Sequence, residues 1–237
     1  KDWIKNSFIG KSSNVLEIGC STGFISTQIS AYTGARVVGI DLSKKCIEQA
    51  KLNSIGKGKV FFHVGNAKNL KFKKSSFSHV IIGGHLPWIP AGEREEHIKN
   101  AMKVLKPNGF LLTSLYFYKE GDDNFVHRFN EEFNTSLRPE DNYDYWTNLF
   151  NQKELDLEYK AIFKVNLPSK ERLNLYLSMF KGKEREQWTK KVKFFIENGK
   201  RIGFFTAVFR KYSKNDPARQ IPRGGIYTFK KLKENVY

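Results

Sequence analysis

Two clusters in this 237-residue chain have residue types and spacing suited to chemistry. The first is Glu17-Ile18-Gly19-Cys20-Ser21-Thr22-Gly23, an acid running into a turn of small residues, with a second acid at Asp41. A small-residue turn between a strand and a helix lets a ligand approach the backbone at a helix N-terminus. A dinucleotide site requires G-x-G-x-x-G. Counted from Gly19, this chain places Ser21 and Phe24 where the second and third glycines belong, which argues against NAD or FAD. A phosphate-cradling loop fails as well, because no Gly-Lys-Ser/Thr closes the turn, and Gly10-Lys11-Ser12 lacks a Gly-rich loop upstream. The second cluster is Gly83-Gly84-His85-Leu86-Pro87-Trp88. His85 is its one base with a suitable ordinary pKa, and it reads either as a catalytic or substrate-orienting group or as a loop histidine. Trp88 reads as a pocket wall or as core.

These clusters need elements to hold them. Short apolar runs at Asn14–Ile18, Arg36–Ile40, Val60–Val64, His79–Ile82 and Phe110–Leu115 read as buried strands. Helical spacing at Phe24–Tyr32, with Phe24, Ile25 and Ile29 on one side, falls between the first two strands. Ser43–Asn53 is a helix that Ser43 can cap, and Glu93–Leu105 is another, stopped by Lys106-Pro107-Asn108-Gly109. Alternating strands and helices predict an α/β fold, a Rossmann-like, doubly wound, mostly parallel sheet of seven strands. Residues 119–150 are polar and aromatic, and read as a helical, lid-like insertion or as helices packed on the core. Leu155–Val165 and Gly203–Arg210 read as strands around helical residues 169–200. One domain is expected over residues 1–212, with a basic segment at 213–237.

In this frame the first motif resembles the class I S-adenosylmethionine-dependent methyltransferases, whose opening pattern is E/D-x-G-x-G-x-G. Glu17, Gly19 and Gly23 match, and Ser21 departs from the middle glycine. Gly65-Asn66-Ala67 is similar to that family's G-D-A, and Leu105-Lys106-Pro107-Asn108-Gly109 to its L-K-P-G-G. The resemblance implies that S-adenosyl-L-methionine is the cofactor. It places Gly19, Ser21 and Gly23 along the methionine part, with Glu17 on its ammonium side. Asp41 would accept hydrogen bonds from the two ribose hydroxyls, with Leu42 on the adenine face. Asn66 and Ala67 would meet the adenine edge, and Gly83 would lie below the sulfonium. Methyl transfer is an in-line displacement in which positioning and water exclusion supply much of the rate. A base is needed only where the acceptor must lose a proton first.

The acceptor is less legible. His85-Leu86-Pro87-Trp88 matches two of four positions of the N-P-P-W signature of base-methylating enzymes, without its Asn. Tyr116 and Tyr118 follow the fifth strand, and Tyr143 lies in the aromatic insertion; these faces suit a cationic amine. Arg223 can clamp a carboxylate or phosphate if the last segment folds back. The expected acceptor is a small molecule offering N or O. The alternatives are RNA, and a protein that binds the cofactor without methyl transfer, as in a cyclisation.

Composition bounds these readings. The net charge is +17, divided as +10 in residues 1–118 and +7 in residues 119–237, with no arginine-rich run. Such a balance favours anionic partners, so nucleic acid remains open although it is not the favoured partner. Cys20 and Cys46 are too few for a disulfide framework or a zinc site, so no metal is expected. The thiols suit a reduced, cytoplasmic setting. No apolar run reaches the roughly 20 residues of a membrane span, and no signal-peptide pattern is seen, so no membrane partner is expected.

Overall fold

The computed structural model describes residues 2–118, 123–150, 154–164, 169–178 and 181–212. Seven strands form one sheet in the order β3-β2-β1-β4-β5-β7-β6. They are β1 (Asn14–Ile18), β2 (Arg36–Asp41), β3 (Lys59–Val64), β4 (Phe77–Ile81), β5 (Leu105–Tyr118), β6 (Leu155–Lys164) and β7 (Ile202–Lys211). Only β7 runs against its neighbours β5 and β6. The doubly wound, mostly parallel expectation holds. The order reverses between β1 and β4, so the loops leaving these two strands flank the crevice where such sheets bind ligands.

Both faces are covered. Helix α1 (Asp2–Ser7) packs against β7, and α2 (Phe24–Thr33) and α3 (Lys44–Asn53) pack against β2 and β3. On one face, Trp3, Ile4 and Ile29 close over Val15, Val37, Ile81, Leu112 and Val208. On the other, α4 (Ala91–Val104) buries Ile98, Ala101 and Val104 against Val80, Leu111 and Leu115. Ser43 caps α3 as expected, its hydroxyl accepting from the Cys46 N–H at 3.2 Å. The burial of α2 differs from its reading. Phe24 is 73% exposed and Ile25 lies at the surface, while Ser26, Thr27, Ile29 and Ser30 face inward. Small side chains there let the helix sit close to the sheet, and Ser30 accepts from the Lys59 N–H at 2.8 Å.

The strand after α4 begins earlier than expected. Phe77 pairs with Leu105 and His79 with Phe110, so Lys106–Gly109 bulge out of an otherwise continuous strand, with Asn108 left-handed at φ 61°.

Residues 123–150 form α5 (Asp123–Phe133) and α6 (Tyr143–Leu149). Phe125, Phe129 and Phe133 pack on Phe194 of α8 (Gly182–Asn198), which follows α7 (Lys170–Ser178). Trp146 and Phe150 are fully buried, so packing on the core describes these two aromatics. Residues 213–237, including Arg223, lie outside the described residues.

Candidate cofactor and active site

The turn after β1 is built by backbone conformation. Gly19, Ser21 and Gly23 are all left-handed, at φ 76°, 48° and 79°, so every second residue takes the conformation that glycine adopts most cheaply. A Cβ on Gly19 would stand 2.9 Å from the Cβ of His85, which makes a glycine obligatory there. The Gly19 and Cys20 N–H groups donate to the Ile40 carbonyl at 2.8 and 2.9 Å, locking the turn to the end of β2. Ser21 holds a conformation that costs an ordinary residue about 1–2 kcal/mol. We expect Ser21→Gly to raise the melting temperature by about 2 °C, the relief exceeding glycine's added chain entropy. Differential scanning calorimetry checks this, and a lowered melting temperature would contradict it.

Asp41 anchors the same turn. Its Oδ2 accepts from the Ser21 N–H and its Oδ1 from the Ser43 N–H, each at 2.9 Å. A carboxylate oxygen accepts more than one bond, so both retain capacity for a ligand hydroxyl. The Gly65 N–H donates to the Asp41 carbonyl at 3.0 Å, which brings Gly65-Asn66-Ala67 alongside. Asn66 turns its Oδ1 to the Lys68 N–H at 2.8 Å, and Ala67 is buried. Leu42 is 70% exposed next to Asp41, an apolar side chain held in the open at the strand end. The expected cofactor residues therefore converge on one edge of the sheet.

Glu17 sits beneath the turn. It is buried, accepts a short hydrogen bond from the Ser26 hydroxyl, and ties β1 to α2. Desolvation pushes its carboxyl up from 4.5 to about 7, against the lowering effect of Ser26. A group raised in the folded state contributes stability that is complete below its unfolded pKa and lost as pH rises through the folded one. We expect the melting temperature to fall as pH rises from 5 to 8, and Glu17→Gln to flatten that slope. Parallel slopes in parent and variant would refute it.

Gly83, at φ 147°, opens the loop after β4 against the Thr113 hydroxyl of β5, where a side chain has no room. His85 then folds back over Gly19. Its Nε2 lies 3.3 Å from Nδ1 of His97 on α4, while its Nδ1 faces the Ile18–Gly19 backbone. Burial, reinforced by His97, lowers the His85 pKa to about 3, so the ring is uncharged at neutral pH. His97 is also lowered by burial, with Lys68 adding to the effect. A base that weak accepts protons poorly at neutral pH.

The aromatic candidates separate. Trp88 is half exposed and its Nε1 donates to the Phe133 carbonyl at 3.2 Å. Tyr116 is partly exposed and packs on Phe204 and Phe195, with ring centroids at 5.1 and 6.2 Å. Tyr118, expected to line the acceptor pocket, is instead buried edge-on between Phe125 and Phe129, because the helices after β5 close over it. Tyr143 contacts Phe117 and Phe205 and borders a groove of about 210 Å³ between α6 and strands β6 and β7.

The sequence reading missed the hub that holds this loop. Arg94 is fully buried on α4 and donates to Asp141 at 2.6 Å, to the Leu86 and Ile89 carbonyls, and to the Ser136 carbonyl. Asp141 also takes the Arg138 guanidinium at 2.8 Å. The loop after β4 is thereby bolted to the segment between α5 and α6. The available signal was periodicity, since Arg94, His97, Ile98 and Ala101 follow the i, i+3, i+4, i+7 stripe that α4 buries.

This sheet order, with a Gly-rich turn after β1 and an acid ending β2, defines the Rossmann-like methyltransferase class. Residues 15–109 match a family described as a methyltransferase domain. Residues 15–109 thus carry the likeness to a methyltransferase domain, and the sheet has the Rossmann-like fold seen in class I S-adenosylmethionine-dependent methyltransferases. An uncharacterised protein of Haemophilus influenzae is 32% identical over 116 residues, 47% of this chain and 46% of that protein. A demethylmenaquinone methyltransferase of Lactococcus lactis subsp. lactis is 35% identical over 100 residues, 40% of this chain and 39% of that protein. The chain thus spans less than half the length of these relatives. The crystal structure of MccD protein superposes with a TM-score of 0.73 at 23% identity, covering 89% of this chain and 95% of that one. At that identity the likeness concerns the fold.

Proposed function

We propose that this chain binds S-adenosylmethionine at the β1–β2–β4 edge and transfers its methyl group to a small-molecule N or O acceptor. The observation that carries the cofactor assignment is the Asp41 carboxylate, which braces the turn at Ser21 while keeping acceptor capacity beside Gly65-Asn66-Ala67. When bound, the cofactor supplies a methyl group already activated on a sulfonium. The residues here have the remaining work. Asp41 fixes the ribose, Leu42 covers the adenine, and the alternate left-handed positions from Gly19 to Gly23 keep side chains off the methionine part. His85 acts as an uncharged wall, positioned by His97, and no proton transfer is assigned to it. Half-exposed Trp88 and Tyr116 offer aromatic faces to an acceptor. The Lactococcus relative is named a demethylmenaquinone methyltransferase, which agrees with an acceptor that is not a nucleic acid.

Titration calorimetry with S-adenosylhomocysteine tests the binding half, with saturable one-to-one binding expected. Incubation of methyl-labelled cofactor with a cell extract tests the acceptor. Label is expected in the acid-soluble small-molecule fraction, with S-adenosylhomocysteine as co-product by mass spectrometry. Label in RNA, or methylthioadenosine as the co-product, would replace this reading.

A further inference from the structure

The parallel strands all begin at the edge opposite the cofactor turn, and β7 ends there. A strand of five or six residues separates the two edges by roughly 17–20 Å. The loops on this far edge are strongly one-signed. Lys11 precedes β1, Arg36 opens β2, Lys57 and Lys59 lead into β3, and Lys73 and Lys74 precede β4. Lys103 and Lys106 flank the start of β5, and all eight of these side chains are exposed. Lys59 is in register with Arg36, and Arg36 with Asn14. The Ser75 N–H donates to the Lys103 carbonyl, which joins the Lys73-Lys74 turn to the end of α4. Burial depresses the pKa of Lys211, with Glu154 opposing that shift and neighbouring Lys74 adding to it.

Residues 49–92 hold seven lysines and no acid. None of the eight edge cations takes part in an ion pair among the described residues, although such pairs occur on α3, α4, α5 and α8. Among the described residues, the acids Glu154 and Asp156 stand at the start of β6, the last strand of the sheet, with Glu154 near Lys211. Unpaired like charges repel one another, and a partner of opposite sign relieves this.

Apolar side chains stand among these cations. Phe8 is 80% exposed in the turn before β1, Ile55 is 73% exposed beside Lys57, and Leu52 is 62% exposed at the end of α3. We infer that this edge docks on a membrane surface rich in anionic lipid, the lysines meeting headgroups while Phe8, Leu52 and Ile55 enter the interface. Exposed aliphatic side chains distinguish this partner from nucleic acid, whose phosphates give them nothing to contact. An RNA acceptor would also have to enter at the opposite edge, where the methyl group is held. The expectation of no membrane partner, drawn from the absence of a spanning segment, is thereby revised toward surface attachment.

Cosedimentation of the full chain with phosphatidylcholine vesicles, with and without phosphatidylserine, tests the inference. Binding is expected only with phosphatidylserine, and should weaken as salt is raised. The quadruple variant Lys57→Glu, Lys59→Glu, Lys73→Glu, Lys74→Glu should lower the partition coefficient roughly 100-fold or more. Leu52→Ser with Ile55→Ser should lower it roughly tenfold or more at constant charge. Circular dichroism and S-adenosylhomocysteine affinity should match the parent in both variants, since the edge is remote from the turn. Unchanged vesicle binding in the quadruple variant, equal binding to neutral vesicles, or retention by single-stranded RNA but not by vesicles would overturn the inference. The vesicle readout does not depend on methyl transfer, so its failure leaves the proposed activity standing.

Discussion

Asp141→Ala is expected to lower the melting temperature by about 10 °C. The substitution leaves the Arg94 guanidinium fully buried without its carboxylate, and removing one partner of a buried pair costs about 3–5 kcal/mol. For a chain of this size each kcal/mol corresponds to about 2–4 °C. Arg94 would keep its bonds to the Leu86, Ile89 and Ser136 carbonyls, but these neutralise no charge. The double variant Arg94→Met, Asp141→Leu should recover most of the loss, because replacing both charges removes the desolvation cost as well as the attraction. Scanning calorimetry on the two variants decides the matter. A single variant as stable as the parent would show that the pair does not hold the insertion to the loop after β4.

The second large effect concerns the cofactor. Asp41→Ala should weaken S-adenosylhomocysteine binding roughly 100-fold or more, since hydrogen bonds to a charged acceptor contribute about 1.5–3 kcal/mol each. Two losses combine: the ribose contacts, and the brace on the Ser21 and Ser43 N–H groups that shapes the turn. Asp41→Asn separates them. Its single amide oxygen can brace one N–H, so an intermediate loss of roughly tenfold is expected. Calorimetric affinity equal to the parent's in Asp41→Ala would remove Asp41 from the site.

Much of the fold was legible because its signals are local. The strands β1, β2 and β3 lie within a residue or two of their expected bounds; β1 and β2 are buried runs of Val, Ile and Leu, whereas β3, at the sheet edge, buries only Phe62. The Ser43 cap was legible for the same reason, since its bond spans three residues. Phe24 and Ile25 misled, because helical spacing marks a face without saying what covers it. In α2 the sheet approaches so closely that serines and threonine fill the inner face. Tyr118 misled similarly. Its place after β5 is at the ligand edge, yet the rings of Phe125 and Phe129 close over it.

The turn from Glu17 to Gly23 and the acid at Asp41 were determined by the sequence itself. A left-handed backbone at Gly19 and Gly23 follows from residue type, whereas Ser21 is held left-handed by the turn, and strand length carries Asp41 to the same edge. Tertiary structure alone decided which groups meet across long separations. His85 meets His97, Arg94 meets Asp141, and basic side chains from the starts of five strands gather on one edge. Spacing along the chain holds no record of these encounters. Burial then sets the chemistry of each, giving an uncharged histidine, a costly ion pair and an unneutralised face.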